Sequence, residues 1–188
     1  TDELEAVLPP DAVVFSDIGG HMLFNIHYLC IKHRQRFIIN LGFGSMGHGT
    51  VAPIGAALAK VPGTIVAIVG DACFTMHGLE LLTAVEQSTK VIWIVENNNM
   101  HGITWHCSIA LSGRGLEAAR TPIRIEIAAI ARSMGIQSFV VDSPGQLGEA
   151  FNSALKHTGP SVIEVRVDPL IPPPLGERAQ SLAGFIAG

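Results

Sequence analysis

The sequence predicts a doubly wound α/β domain, with a mainly parallel sheet of about six strands and helices on both faces. Three observations carry this prediction. Apolar runs rich in β-branched residues recur along the chain, they are near-continuous rather than alternating, and helical stretches separate them. Continuous runs mark strands covered on both faces, and regular strand–helix alternation is the pattern of a parallel sheet.

"TDELEAVL" reads as an opening helix and "AVVFS" (12–16) as the first strand. The helical stretch "HMLFNIHYLCIK" leads to a second strand, "RFIIN" (36–40), and "MGHGTVAPIGAALAK" to a third, "TIVAIV" (64–69). "MHGLELLTAVEQ" then precedes "KVIWIV" (90–95), "IRIEIAAIARSM" precedes "QSFVV" (137–141), and "PGQLGEAFNSALKH" precedes "SVIEVRV" (161–167). Gly and Pro at "VPG" (61–63), "SPG" (143–145) and "TGP" (158–160) punctuate the alternation. The stretch "CSIALSGRGLEAART" (107–121) is the least regular interior segment and reads equally as a lid or as a surface connection. A domain over 1–169 and a Pro-rich tail over 170–188 follow; the tail either wraps a neighbouring chain or is a loosely ordered terminus.

A chain of 188 residues suffices for one domain with a substantial core, burying about 70% of its unfolded surface. Hydrophobic residues make up 48% and charged ones 15%, against ~25% charged in an average soluble protein. That balance points to a surface covered by a partner chain or domain, although a sheet buried on both faces accounts for part of it. A net charge of -4 without a basic cluster argues against nucleic acid. No apolar run is long enough for a membrane span, and no signal peptide opens the chain. Cys30, Cys73 and Cys107 lack a CxxC pattern, and the eight histidines form no HExxH pair. Reduced thiols in a cytoplasmic protein are therefore expected, not a disulfide framework or a zinc site. The chain opens without Met inside a helical stretch, which reads as a piece of something longer.

The chemistry concentrates at strand ends. "GDA" (70–72) closes one apolar run and "ENNN" (96–99) closes the next, separated by one helix plus one strand. In neighbouring strands, the Asp71 carboxylate and an Asn amide oxygen meet at one edge of the sheet, where α/β proteins bind ligands. Two hard oxygens and a backbone carbonyl make half an octahedral Mg²⁺ shell, which diphosphate oxygens and water complete. A helix beginning near Thr75 would aim its N–H groups at the same phosphates. "GFGSMG" (42–47) formally matches a dinucleotide-binding GxGxxG. It follows the second strand, however, and the acid that closes the following strand is Asp71 itself, in a different kind of turn.

"GDACFTMHGLELLTAVEQSTKVIWIVENN" resembles the GDG…NN signature of thiamine-diphosphate enzymes of the acetolactate synthase and pyruvate decarboxylase type. "VVFSDIGGH", "LGFGSMGHGTVAPIGAALA", "IEIAAIARSMGI" and "GPSVIEVRVDP" resemble further segments of that family's diphosphate-binding domain, in the family's order, from about residue 10 to Pro169. The resemblance implies Mg²⁺ held by the side chains of Asp71 and Asn98 and the Met100 carbonyl. Gly19, Gly20 and His21 would line the diphosphate turn, joined by Gly70, Ala72 and Cys73. Gly44 and Met46 would serve catalysis: the Gly44 carbonyl takes the pyrimidine 4′-amino group, and Met46, beside Ser45, wedges the cofactor into its bent form. Met46 as plain core is the rival reading. Met100, His101, Gly102 and Ile103 would contact the cofactor, and Ile103 and Thr104 would sit near the substrate, at the start of the short helix after the metal turn.

Two departures stand out. Ala72 replaces the family's third signature glycine, which is tolerable only at negative φ. No part of the chain resembles the pyrimidine-binding domain, which carries the glutamate that activates the cofactor. The resemblance thus implies half of a 2-oxo acid decarboxylase or carboligase, completed by a pyrimidine-binding subunit or domain in a hetero- or homo-oligomer. Its rivals are the diphosphate-binding subunit of a two-subunit sulfopyruvate- or phosphonopyruvate-type decarboxylase and a non-catalytic cofactor-binding or regulatory module.

Overall fold

The computed structural model describes residues 1–32 and 34–175. Six strands form one sheet: β1 (Val13–Ser16), β2 (Arg36–Ile39), β3 (Ile65–Gly70), β4 (Ile92–Asn97), β5 (Gln137–Val141) and β6 (Ser161–Arg166). Their order is β2-β1-β3-β4-β6-β5 and every pairing is parallel. The residues of β1, β3 and β4 are buried almost throughout, as their unbroken apolar runs require.

Helices α1 (Asp2–Val7), α2 (Gly20–Tyr28) and α8 (Gln146–Lys156) accompany α3 (His48–Leu58), α4 (Asp71–His77), α5 (Leu81–Glu86), α6 (Gly102–Ser112) and α7 (Ile127–Ser133). Side chains alternate across each strand, so two cores form. Phe15, Val69, Trp93 and Val95 pack with Ile54 of α3, Phe74 of α4, Leu81 of α5 and Ile127 of α7. Val14, Ile68, Ile92 and Ile94 pack with Leu4 of α1 and Phe151 of α8. Fully burying each such large apolar side chain stabilises the fold by about 1.5–3 kcal/mol. The Trp93 indole N–H donates to the Thr50 carbonyl at 2.9 Å, which ties α3 to the sheet.

Chain direction positions the site. From β1 the chain leaves toward edge strand β2, and from β3 it leaves toward β4. The turns after β1 and β3 therefore diverge, opening a crevice at the carboxyl ends where α/β sheets bind ligands. The register pairs Gly70 with Glu96, so β3 and β4 end side by side.

Several boundaries differ from the sequence expectation. Helix α4 begins at Asp71, not near Thr75, because Gly70 supplies an extended N-cap. A 3-10 turn over Gly78–Glu80 separates it from α5. A Cβ on Gly78 would lie 2.7 Å from the Phe74 ring, so this bend is packed too closely for a larger residue. The helix expected to begin at 123 begins at Ile127. The stretch 107–121 is not irregular throughout: α6 runs three turns to Ser112, and left-handed Gly113 closes it. Of that helix only His106 is buried, which explains its weak apolar periodicity. The tail expected over 170–188 is described only to 175; there Ile171 and Pro173 lie against the crevice. The rest of that expectation lies outside the described residues.

Candidate functional site

The crevice holds a cavity of about 380 Å³, and four loops supply much of its lining. The turn after β1 contributes Ile18, Gly19, Gly20 and His21, and Met46 comes from the turn before α3. Gly70 to Cys73 come from the β3–α4 junction, and Asn98 with Met100 to Thr104 from the loop after β4. Nearly every residue singled out in the sequence thus meets here. Gly44 and Ser45 do not line the cavity: Gly44 has left-handed φ (63°) in the turn just before Met46, and Ser45 is exposed. Met46 is half-buried, touching the core while opening to the cavity, so both readings of it have a physical basis.

Asp71 sits in the first turn of α4, buried, with one carboxyl oxygen accepting the Ala72 N–H at 2.9 Å. Burial pushes its pKa up to about 6; the backbone N–H groups of Ala72, Asn99 and Met100 and the charge of His101 act the other way. Those opposing groups show that the carboxyl faces the 98–101 turn. In that turn the Asn98 side-chain oxygen accepts the Met100 N–H at 3.1 Å, and the Met100 carbonyl accepts the Gly102 N–H at 3.0 Å. Each oxygen keeps a lone pair. A Cβ on Gly102 would lie 2.6 Å from the Asn98 amide nitrogen, so glycine there lets the Asn98 side chain fold over the turn. Ala72 is helical and absent from the positive-φ residues, so its methyl group is accommodated.

His21 packs against the two glycine backbones: Cβ atoms at Gly19 and Gly70 would fall within about 3 Å of its ring. Its Nε2 is buried and has no hydrogen-bond partner among the described residues. Burial outweighs the nearby Asp17 charge and lowers its pKa to about 4, which keeps the imidazole neutral. Cys73 is buried, and its Sγ–H donates to the Ile18 carbonyl at 3.2 Å. Burial pushes that thiol up to about 12, so its side chain braces the β1 turn as a neutral group. His101 and Thr104 are exposed, while Gly102 and Ile103 are half-buried.

Two residues escaped the sequence reading. Asp17, fully buried, accepts from the Ile18 N–H (2.8 Å), the Gly47 N–H (2.9 Å), and the Thr50 N–H and Oγ1 (both 3.0 Å). It clamps the turn after β1 to the turn before α3, and its signal was an acid one residue ahead of two glycines. Glu96, at the end of β4, opens into the cavity, and burial pushes its carboxyl up to about 7. Its signal was an acid ending an otherwise apolar strand.

Comparisons with known proteins place this architecture. Residues 17–165 match the family model described as "Thiamine pyrophosphate enzyme, C-terminal TPP binding domain". The chain is 32% identical over 173 residues to "Putative acetolactate synthase large subunit IlvB2" of Mycobacterium tuberculosis, covering 92% of this chain and 31% of that protein. It is 26% identical to "Acetolactate synthase isozyme 1 large subunit" of Escherichia coli, covering 89% and 31%. An X-ray structure of "a putative thiamin diphosphate-dependent enzyme" from Mycobacterium smegmatis matches with a TM-score of 0.75 at 27% identity, covering 89% of this chain and 31% of that one. The chain thus spans about a third of the length of these relatives. The cofactor that the match and the relatives imply is thiamine diphosphate with Mg²⁺. With most of its length matched by that model, the chain belongs to the thiamine pyrophosphate enzymes, as their C-terminal TPP-binding domain.

Proposed function

We propose that this domain is the diphosphate- and Mg²⁺-holding half of an acetolactate synthase-like enzyme acting on 2-oxo acids. The observation that carries the reading is the convergence of Asp71, Asn98 and Met100 on one cavity beside a glycine-rich turn. The residues fit the cofactor. A carboxylate, an amide oxygen and a carbonyl suit Mg²⁺, which takes its remaining ligands from phosphate and water. The orphaned Nε2 of His21 offers a phosphate oxygen the hydrogen bond that the protein does not supply. Gly19 and Gly20, at the start of α2, leave room for close approach of a phosphate to backbone N–H groups.

When bound, thiamine diphosphate supplies the electron sink that makes decarboxylation of a 2-oxo acid feasible. The chain's own residues hold and shape it. Asp71, Asn98 and Met100 take the metal, and His21 with Gly19, Gly20, Gly70, Ala72 and Cys73 surrounds the diphosphate. Gly44 and Met46 support the bent conformation, and Ile103 and Thr104 border the substrate. A pyrimidine-binding domain or subunit brings the activating glutamate. Exposed apolar side chains in the turns before α3 and before α5 suit such a partner: Phe43 is 96% exposed and Leu79 69%. Among the described residues no helix is long and apolar enough to cross a membrane. Three free cysteines agree with a reducing cytoplasm.

Because the relatives are named as acetolactate synthases, carboligation ranks above simple decarboxylation. Product analysis tests this: the complete protein, with thiamine diphosphate, Mg²⁺ and pyruvate, is expected to release CO₂ and form acetolactate. Free acetaldehyde as the product would favour a decarboxylase. Absence of turnover on any 2-oxo acid, with the partner present, would contradict the enzyme reading.

A further inference from the structure

Glu164 is fully buried on β6, lies outside the cavity lining, and has no part in the roles assigned above. One carboxyl oxygen accepts the Asn97 side-chain N–H at 2.9 Å and the other accepts the backbone N–H of Ala128 at 2.8 Å. The guanidinium of Arg166 stands 3.8 Å away and is itself paired with Glu126 at 2.7 Å. A buried acid is costly unless its partners repay the lost hydration. What these partners achieve can be followed link by link.

A carboxyl group that accepts on both oxygens forces Asn97 to present its NH₂ group, whose other proton goes to the Ile125 carbonyl at 2.8 Å. The Asn97 side-chain oxygen must then face the loop, where it accepts the Asn99 N–H at 3.1 Å. Asn99 is held left-handed, at φ 56°, and Thr121 pairs with it twice: Thr121 N–H to the Asn99 carbonyl at 3.2 Å, and Asn99 NH₂ to the Thr121 carbonyl at 3.0 Å. Asn99 holds this left-handed conformation between Asn98 and Met100, and both of those neighbours line the same cavity.

We infer that Glu164 is a positioning residue for the metal turn, acting through Asn97 on Asn99 and so on the ligands Asn98 and Met100. This rests on the metal assignment proposed above. Gln at 164 keeps shape and volume but offers one acceptor where two donors arrive, so one N–H would meet an NH₂ group. Outer-shell partners of metal ligands typically change affinity by 10–100-fold.

The test is Mn²⁺ binding to the complete protein with saturating thiamine diphosphate, read from the free-ion electron paramagnetic resonance signal. The variants are Glu164→Gln, Asn97→Ala and the pair together. Expected are a metal-free melting temperature within a few degrees of the parent and Mn²⁺ affinity weakened about 10–100-fold in each single variant. The double variant should be no weaker than the worse single one, because both cut the same link. Unchanged affinity in folded Glu164→Gln overturns the inference and leaves the metal assignment standing. So does collapse of the metal-free fold in that variant, which would make the role purely structural. If the parent itself binds no Mn²⁺, the metal assignment falls and this inference falls with it.

Discussion

His21 and the acids near it respond to pH in opposite directions, which makes single residues of the site separable in solution. The folded-state pKa of His21 lies near 4, below its ordinary 6.5. The stability it contributes is thus complete above pH 6.5 and lost as pH falls toward 4, where the unfolded chain gains a proton that the folded one refuses. Asp71 and Glu96 are raised to about 6 and about 7, so their contribution is present below their ordinary values and lost as pH rises through 6–7. Replacing His21 with Gln should isolate the first effect. Between pH 7 and 4.5, urea unfolding of the parent should lose about 2–3 kcal/mol relative to His21→Gln; parallel pH profiles would contradict the burial of a neutral imidazole. At this scale the sequence was most informative where residue type alone names the chemistry. Asp71 and one of the asparagines 97–99 could be read as hard oxygen donors from their places at strand ends, and the resemblance singled out Asn98. Asp17 could not, because its work is hydrogen bonding to Gly47 and Thr50, thirty or more positions away.

Helix α3 meets the end of β1 through Gly49, where an added Cβ would lie 2.5 Å from the Asp17 backbone nitrogen. The neighbour is backbone, so it cannot swing aside. Gly49→Ala should therefore destabilise the fold by about 3 kcal/mol, at the upper end of ordinary overpacking. It should also loosen the Asp17 clamp. Chemical denaturation measures the first effect; a loss below about 1 kcal/mol would mean that α3 shifts freely and that the clamp is not rigid. Strand positions were legible because β1, β3 and β4 carry the largely apolar runs of buried parallel strands. Helix boundaries were less so. The start of α4 depends on the extended backbone of Gly70, and the late start of α7 follows a stretch held by Thr121 and Asn97 rather than by its own pattern. The half-exposed α6 lacks the apolar stripe that would have announced it.

Across the whole molecule, the sheet order converts sequence spacing into a site. One helix and one strand separate Gly70 from Glu96, and parallel pairing of β3 with β4 returns them to the same level. The divergence of the chain at β1 and β3 then leaves the crevice open beside them. The meeting of Asp71 with the asparagine turn after β4 was legible from spacing; its reading as a metal site leaned on the family resemblance. The Glu164 link was not, since it joins β6 to β4 across 67 residues of chain through side-chain hydrogen bonds. Asp71 is the residue on which the account turns, and isothermal titration of the complete protein with thiamine diphosphate, with and without Mg²⁺, tests it most directly. The parent should bind the cofactor only when Mg²⁺ is present. Asp71→Ala should keep the parent's circular dichroism spectrum and lose at least about 100-fold in Mg²⁺-dependent affinity, the upper end of what losing even an outer-shell partner of a metal ligand costs. Equal affinity in parent and variant, or Mg²⁺-independent binding by the parent, would contradict the metal assignment.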